Sequence, residues 1–494
     1  MTFSQLMNLT ASEYHLLFRP SKCERRVFLR THHEPEAEPS EFDTLIKELG
    51  IRHEANHLST FSHYEDLKDG NLNDRAARTS KAIENGIDVI YQGVLQSKLP
   101  VSGDLITGIP DFLIKDGSGY KIRDCKLSRH VNEGRHEEIV LQLDLYGWLY
   151  QQNCDKPPVS LEVYLGDESI AVIPYAGGQT ALQVLEQIRL LVQRSDEPYS
   201  PVGWSKCGSC GFKDRCWKIA KDTNDVALVY ELDQGIAIAL KQQGVTTIDE
   251  LLKHFNKQSL SELKKPRGNQ MVRVGTAAER ILLQAESLHS GTERLLFPLK
   301  LPSAENLVMF DLEGLPPQFD ELDKVYLWGM QVFGSRPEKY IAALAGFGTE
   351  GDRDGWFEFL RNSETIFKEY GDIPFIHWHH YETTKVKGYI GRYGDPNGIA
   401  QRVLNNCIDL LKITREALVL PEYSYSLKVV EKRTGFKRTM EEFGGDWSIV
   451  QYIRAVETND ENLRQKIMSE ILKYNEEDLQ ATWAVLQWLK VKNE

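Results

Sequence analysis

Apolar residues recur at helical spacing over Lys81–Leu95 (KAIENGIDVIYQGVL) and Glu137–Gln152 (EEIVLQLDLYGWLYQQ), which predicts a helix in each. Between them, Gly108–Lys115 and Tyr120–Ser128 read as strands, and the Asp116-Gly117-Ser118-Gly119 turn joins them as a hairpin. Leu161–Pro174 adds further strand. From about Lys221 to Phe297 the pattern turns wholly helical. Gly235–Leu240, Gly244-Val245 and Ile248–Leu252 suggest short helices joined at glycine, Lys264-Lys265-Pro266-Arg267-Gly268 reads as a basic hinge, and a helix follows around Ala277–Leu288. From Pro298 the strands return at Asn306–Leu312, Val325–Phe333 and Lys339–Ala345. A helix (Trp356–Glu369), a strand (Ile373–His377) and further helices follow, the last over Glu470–Lys490. This order predicts an α/β multidomain chain divided at residues 1–220, 221–297 and 298–494, the last part an antiparallel meander flanked by helices. A length of 494 residues fits that division.

Composition changes this picture little. Charged residues make up 27% and hydrophobic residues 41%, an ordinary globular balance. The apolar runs, such as Ile139-Val140-Leu141, fall far short of the roughly 20 residues that a membrane span needs. The amino terminus, Met1-Thr2-Phe3-Ser4-Gln5, shows no signal-peptide pattern, so a cytoplasmic protein without a membrane partner is expected. A net charge of -13 does not advertise a nucleic-acid binder, although clustered carboxylates lower the total without preventing a local basic groove. An odd count of seven cysteines argues against a disulfide framework.

The first chemistry-bearing set lies in the predicted hairpin. Pro110-Asp111 sits on one strand and Asp124-Cys125-Lys126 on the next, with Asp124 and Lys126 on one face because strand side chains alternate. Two neighbouring carboxylates can hold magnesium or manganese, and a nearby lysine can orient the attacking water. Alone, so short a motif reads as a solvated strand face. Upstream, however, stands Gly50-Ile51-Arg52-His53-Glu54, and downstream Gln142 and Tyr146 share a helical face. In this order the pieces resemble the RecB-like branch of the PD-(D/E)XK nucleases. The resemblance implies a restriction-endonuclease-like domain with His53, Asp111 and Asp124 as metal ligands and Lys126 as the catalytic lysine. It also implies that Gln142 and Tyr146 contact DNA or brace the site.

Cys207, Cys210 and Cys216 crowd into a short loop, which asks for a metal. Some RecB-like nucleases carry one cysteine before the core and three after it, together binding a [4Fe–4S] cluster. Cys23 with Cys207, Cys210 and Cys216 resembles that layout. Zinc in the same four ligands and incidental packing cysteines are the other readings.

The second set begins with Asp311 and Glu313 on one strand face. Tyr474 and Asp478 lie one helical turn apart near the carboxyl end. Asp-x-Glu on a first strand with Tyr-x-x-x-Asp on a last helix resembles the DEDD-type exonucleases of the RNase H-like fold. That family holds two metals with four acids, and its tyrosine positions the attacking water. The fourth acid falls on Glu382 in His377-Trp378-His379-His380-Tyr381-Glu382, where His and Glu replace the family's Asn and Asp. The departure leaves open an active centre or a domain kept for binding. Asp409 either assists or caps a helix.

Leu232–Leu252 resembles a helix–hairpin–helix module, which grips phosphate through backbone amides, with Lys264, Lys265 and Arg267 extending the contact. A plain helical linker is the alternative. Taken together the chain resembles RecB-like nucleases fused to an RNase H-like exonuclease domain. The expected activity is metal-dependent hydrolysis of nucleic acid, DNA favoured, in repair, recombination or defence. A scaffold with one active centre and an RNA-processing nuclease are the competing readings. No Gly-x-x-x-x-Gly-Lys-(Ser/Thr) stretch occurs, so unwinding would fall to a separate helicase or recombination protein.

Overall fold

The structure is a computed structural model that describes residues 7–493 apart from 101, 133, 135, 269, 318, 320, 321 and 441–443. Met1-Thr2-Phe3-Ser4-Gln5, read above for a signal peptide, lies outside the described residues. The chain divides into two compact units, residues 1–200 with 205–216 and residues 201–204 with 217–494. The segment 221–297 lies within the second unit. No described helix is long and apolar enough to cross a membrane.

The first unit is built on a six-stranded sheet. Its strand order is Glu65–Asp66, Val89–Tyr91, Phe112–Asp116, Gly119–Cys125, Leu161–Tyr164 and Ile170–Ile173. The Phe112–Asp116 and Gly119–Cys125 pair is the antiparallel hairpin that the turn residues announce. Gly119–Cys125 then pairs in parallel with Leu161–Tyr164, so it has strands on both sides and alternates buried with half-buried positions. The helix Glu137–Cys154 is apolar on most of its circumference and is correspondingly buried. Its buried Asp144 is satisfied by the backbone N–H groups of Ala176 and Gly178, each at 3.1 Å.

One expected helix is corrected here. Lys81–Leu95 does not run as a single helix: the helix spans Leu72–Glu84, and strands follow at Val89–Tyr91 and Leu95–Lys98. Asn85 ends the helix, and Gly86 takes φ 68°, a left-handed value that glycine adopts without strain. Asn-Gly was the available stop signal. Asp111 likewise sits immediately before its strand rather than within it.

In the second unit a five-stranded sheet runs in the order Ile341–Leu344, Lys324–Gly334, Asn306–Leu315, Phe375–His377 and Cys407–Asp409. The first three pair antiparallel as the expected meander, and the last two join in parallel beside Asn306–Leu315. That central strand is buried on both faces. Val308, Phe310 and Leu312 enter one apolar cluster, while Leu307 and Met309 enter another. Lys264-Lys265-Pro266-Arg267-Gly268, expected as a basic hinge in a wholly helical segment, belongs instead to a strand pair. Lys264–Arg267 and Gln270–Arg273 form an antiparallel two-stranded ribbon, whose backbone pairing does not depend on an apolar pattern.

The larger core of this unit is organised around Trp328, which is fully buried and packs on Phe359, Trp356 and Tyr389 with ring centroids 4.5–5.4 Å apart. Truncation would leave a cavity that rigid neighbours cannot fill. Trp328→Ala is therefore expected to destabilise the second unit by about 3–5 kcal/mol, read from the midpoint of urea unfolding.

Candidate active sites

In the first unit the acids gather where the hairpin meets the helix Glu41–Leu58. Asp111 Oδ2 accepts from the Cys125 backbone N–H at 2.7 Å, and Asp124 Oδ1 accepts from the Asp111 N–H at 3.4 Å. These two backbone bonds hold the carboxylates beside each other across the hairpin. Lys126 Nζ closes on Asp124 Oδ2 at 2.5 Å, as expected for residues on one strand face. Burial, reinforced by the Asp124 charge, pushes the Asp111 carboxyl well above the usual carboxylate range, and Lys126 works against that rise. Burial disfavours the Lys126 ammonium, but Asp124 and Asp111 outweigh it and raise its pKa.

The helix residue brought to this centre is Glu54, which sequence reasoning passed over in favour of its neighbour. Gln92 Nε2 donates to Glu54 Oε1 at 2.7 Å and to Asp111 Oδ1 at 3.0 Å, and the Tyr91 hydroxyl donates to Glu54 Oε1 at 2.7 Å. Gln92 adopts φ 56°, a left-handed conformation uncommon outside glycine, in making this bridge. His53, expected as a metal ligand, instead stacks on Tyr164 with ring centroids 4.9 Å apart and places Nε2 3.3 Å from the Tyr164 carbonyl. Adjacent helix residues point about 100° apart, so only one of the two can face the acids. A cleft of about 640 Å³ opens beside this centre, lined by Lys126, Gln142, Tyr146, His15, Arg26 and Arg30. Gln142 Nε2 donates to the Tyr146 hydroxyl at 2.9 Å, so these two expected residues act as one unit in its wall.

The four cysteines also converge. The Cys210 and Cys216 thiols are pushed up first by burial, and each also feels the sulfurs of Cys23 and Cys207. Cys23 caps the helix Glu24–Thr31, far in sequence from the other three. Cys125, Cys154 and Cys407 are half-buried. Among the described residues no three of the four sulfurs come within 4.8 Å of one another.

In the second unit one oxygen each of Asp311, Glu313 and Asp478 lies within 4.8 Å of the others, the one such group among the described residues able to hold a metal ion. Strand alternation puts Asp311 and Glu313 on the Met309 face, and the helix Glu461–Lys492 carries Asp478 to them. Asn475 from that helix donates from Nδ2 to Asp311 Oδ2 at 2.7 Å, and its Oδ1 accepts from the Tyr340 hydroxyl at 2.9 Å. A Cβ at Gly329 would collide with Asn475, so glycine is what lets the helix approach the sheet here. Ser448 donates to Glu313 Oε2 at 2.9 Å. Arg438 donates to Asp478 Oδ1 at 2.5 Å and to Glu431 Oε2 at 2.7 Å. Asn475 lies inside the Tyr474–Asp478 motif, whereas Ser448 and Arg438 carry no sequence signal.

Glu382 is buried and its charge helps to raise the Asp311 pKa, but it is not part of the three-acid group. Its Oε2 lies 3.4 Å from His377 Nδ1. Burial opposes the His377 charge, yet Cys407 and Glu382 together raise that imidazole to about 10. Tyr474 is buried with its ring 5.7 Å from Trp447. Asp409 accepts from the Lys412 N–H at 2.9 Å and so caps a helix. Of the basic residues on the ribbon, Lys265 is ion-paired with Asp233, while Lys264 stands opposite Arg273 and Arg267 opposite Gln270.

Burial, and next the Asp478 charge, pushes Glu313 up to about 8. The unfolded chain releases this proton near an ordinary carboxylate value of about 4.3. Between that pH and about 8 folding must therefore take a proton up, and stability falls as pH rises. In metal-free protein, raising the pH from 5 to 8 is expected to lower the wild-type melting temperature more than that of Glu313→Gln. Manganese is expected to recover the loss. Parallel melting curves in the two proteins would show no such group if this is wrong.

Two family models match stretches of the chain that contain the two centres. The PDDEXK_1 model of the PD-(D/E)XK nuclease superfamily matches residues 23–217, and the RNase_H_2 model of the RNase_H superfamily matches residues 308–490. No curated protein matches the chain. The crystal structure of SSO0001 is 18% identical over 43% of this chain and 87% of its own, at a TM-score of 0.23, a likeness that carries no argument. The chain thus contains a PD-(D/E)XK nuclease superfamily domain and an RNase H-like domain.

Proposed function

We propose that the chain is a metal-dependent nuclease that hydrolyses phosphodiester bonds of DNA, at single-stranded regions or ends, with a centre in each nuclease domain. The observation that carries this reading is the convergence of Asp311, Glu313 and Asp478 on one point from a strand and a distant helix. Burying three carboxylates together is costly unless cations neutralise them. In the first centre Asp111, Asp124 and Glu54 would hold a divalent ion, with Lys126 placed to orient the attacking water. In the second, Asp311, Glu313 and Asp478 would hold one, with Glu382 extending the set and Tyr474 facing the water. Magnesium or manganese suits such oxygen ligands and supplies charge stabilisation and an activated water. Gln142 and Tyr146 would contact the strand in the first cleft. Lys264, Lys265 and Arg267 would hold backbone phosphate from the connector 221–297, between the nuclease domains 1–220 and 298–494.

The cysteine set would hold a [4Fe–4S] cluster. Four thiolates around one zinc, at a Zn–S distance of about 2.3 Å, stand roughly 3.8 Å apart. Sulfurs that gather without any three coming within 4.8 Å fit a larger inorganic core better. Anaerobically purified protein is expected to be brown, with about four irons per chain, and Cys23→Ala is expected to lose the colour. A colourless protein with one zinc per chain would overturn the cluster.

A second reading, in which the RNase H-like domain only binds nucleic acid, draws on Arg438 occupying Asp478 and His377 holding Glu382. The two are separated by degradation of end-labelled DNA in manganese. Asp124→Ala and Asp311→Ala are each expected to lose part of the activity and the double variant all of it, by at least about 100-fold. Asp311→Ala at full activity would favour the binding-only reading, and wild type that leaves every DNA and RNA substrate intact would end the enzyme reading. Matched RNA strands distinguish the sugar. Unwinding would come from a separate helicase.

A further inference from the structure

Lys428 sits in the short helix Leu427–Val430 and directs its ammonium into the second centre. Nζ is buried and finds no hydrogen-bond partner among the described residues. It lies 5.0 Å from the ring centroid of Tyr474, over the face. The charges that act on it belong to Asp478, Glu431 and Glu313 on one side and Arg438 on the other. Among the described residues no carboxylate forms an ion pair with it, because those nearby are committed elsewhere. Asp478 and Glu431 are taken by Arg438, and Glu313 by Ser448.

A buried ammonium that spends none of its three donors is expensive to maintain. A lysine retained for packing alone would reach solvent or close an ion pair, as Lys385 does with Asp323 at 2.6 Å. The cost makes sense if a partner arrives with the substrate. An oxygen-bearing group that arrives beside Tyr474, where the Asp478 and Glu313 charges also act on Nζ, finds an unused donor there. Cation–π attraction to Tyr474 holds the ammonium in place meanwhile.

We propose that Lys428 is a catalytic residue of the RNase H-like centre, donating a hydrogen bond to the attacking water on the Tyr474 side. This rests on the reading of that centre as active. In the step, the water oxygen forms the new bond to phosphorus while the bond from phosphorus to the leaving oxygen breaks. The proton released by the water is balanced by the one the leaving oxygen takes up. Lys428 keeps its own proton and stabilises the negative charge that grows on the attacking oxygen.

The test is carried out on the full chain carrying Asp124→Ala, so that only the second centre is read, with single-stranded DNA and manganese. Adding Lys428→Met or Lys428→Gln is expected to lower kcat about 100-fold with KM within about threefold. Lys428→Arg should recover at least a tenth of the parent kcat. Manganese binding, followed by electron paramagnetic resonance, should be retained in all three and shows that the site remains folded. If Met disturbs the fold, Gln, which keeps the polar head, reads the same loss of charge. A kcat within threefold of the parent, or an effect confined to KM, overturns the role. An inactive Asp124→Ala parent, alongside active wild type, overturns the active-centre reading and the role of Lys428 with it.

Discussion

Everything about the second centre follows from the repulsion among Asp311, Glu313 and Asp478. Three carboxylates are pressed together, and burial drives the pKa of each upward; neighbouring carboxylates add to the rise of Asp311 and Glu313, while Arg438 and Lys428 restrain that of Asp478. The rest of the unit must supply enough packing to force this arrangement. It does so with a strand buried on both faces and a 32-residue helix whose inner side is buried along much of its length. Around the acids, Asn475, Ser448 and Arg438 each donate to one carboxylate, and those bonds fix orientation without cancelling the negative charge completely. On the proposed function, such a site would be prepared for cations rather than adapted to them afterwards.

The first centre reaches a similar chemistry by other means. Its two aspartates are set by backbone N–H donors of the hairpin itself, so their separation depends on strand register more than on side-chain packing. Lys126 supplies the local positive charge, and Gln92 ties Glu54 to Asp111. A lysine in the motif balances one carboxylate here. In the second unit the corresponding positive charge comes from Arg438 and Lys428, which lie outside the acidic motifs.

What the sequence disclosed and what it hid divide along physical lines. Asp311 and Glu313 were legible because strand side chains alternate, and Tyr474 and Asp478 because a helical turn brings them together. Asp124 and Lys126 were legible for the first of these reasons. Glu54 was not, since choosing between it and His53 requires the rotation of a helix against a sheet, which local spacing leaves undetermined. Arg438 from a loop, Lys428 from a short helix and Ser448 from the helix Gly445–Glu457 meet the acids only through the tertiary fold. The ribbon at 264–273 escaped notice because a charged pair of strands containing Pro266 has no apolar alternation, and Lys81–Leu95 because its apolar spacing continues past the Asn85-Gly86 stop.

The central claim is that the fold assembles carboxylates for divalent ions at two places. Anomalous scattering from crystals grown with manganese examines it without reference to activity. The account predicts a peak bounded by Asp311, Glu313 and Asp478 and another beside Asp111 and Asp124, each about 2.2 Å from the carboxylate oxygens. Crystals in millimolar manganese with no peak at either acidic group would contradict it.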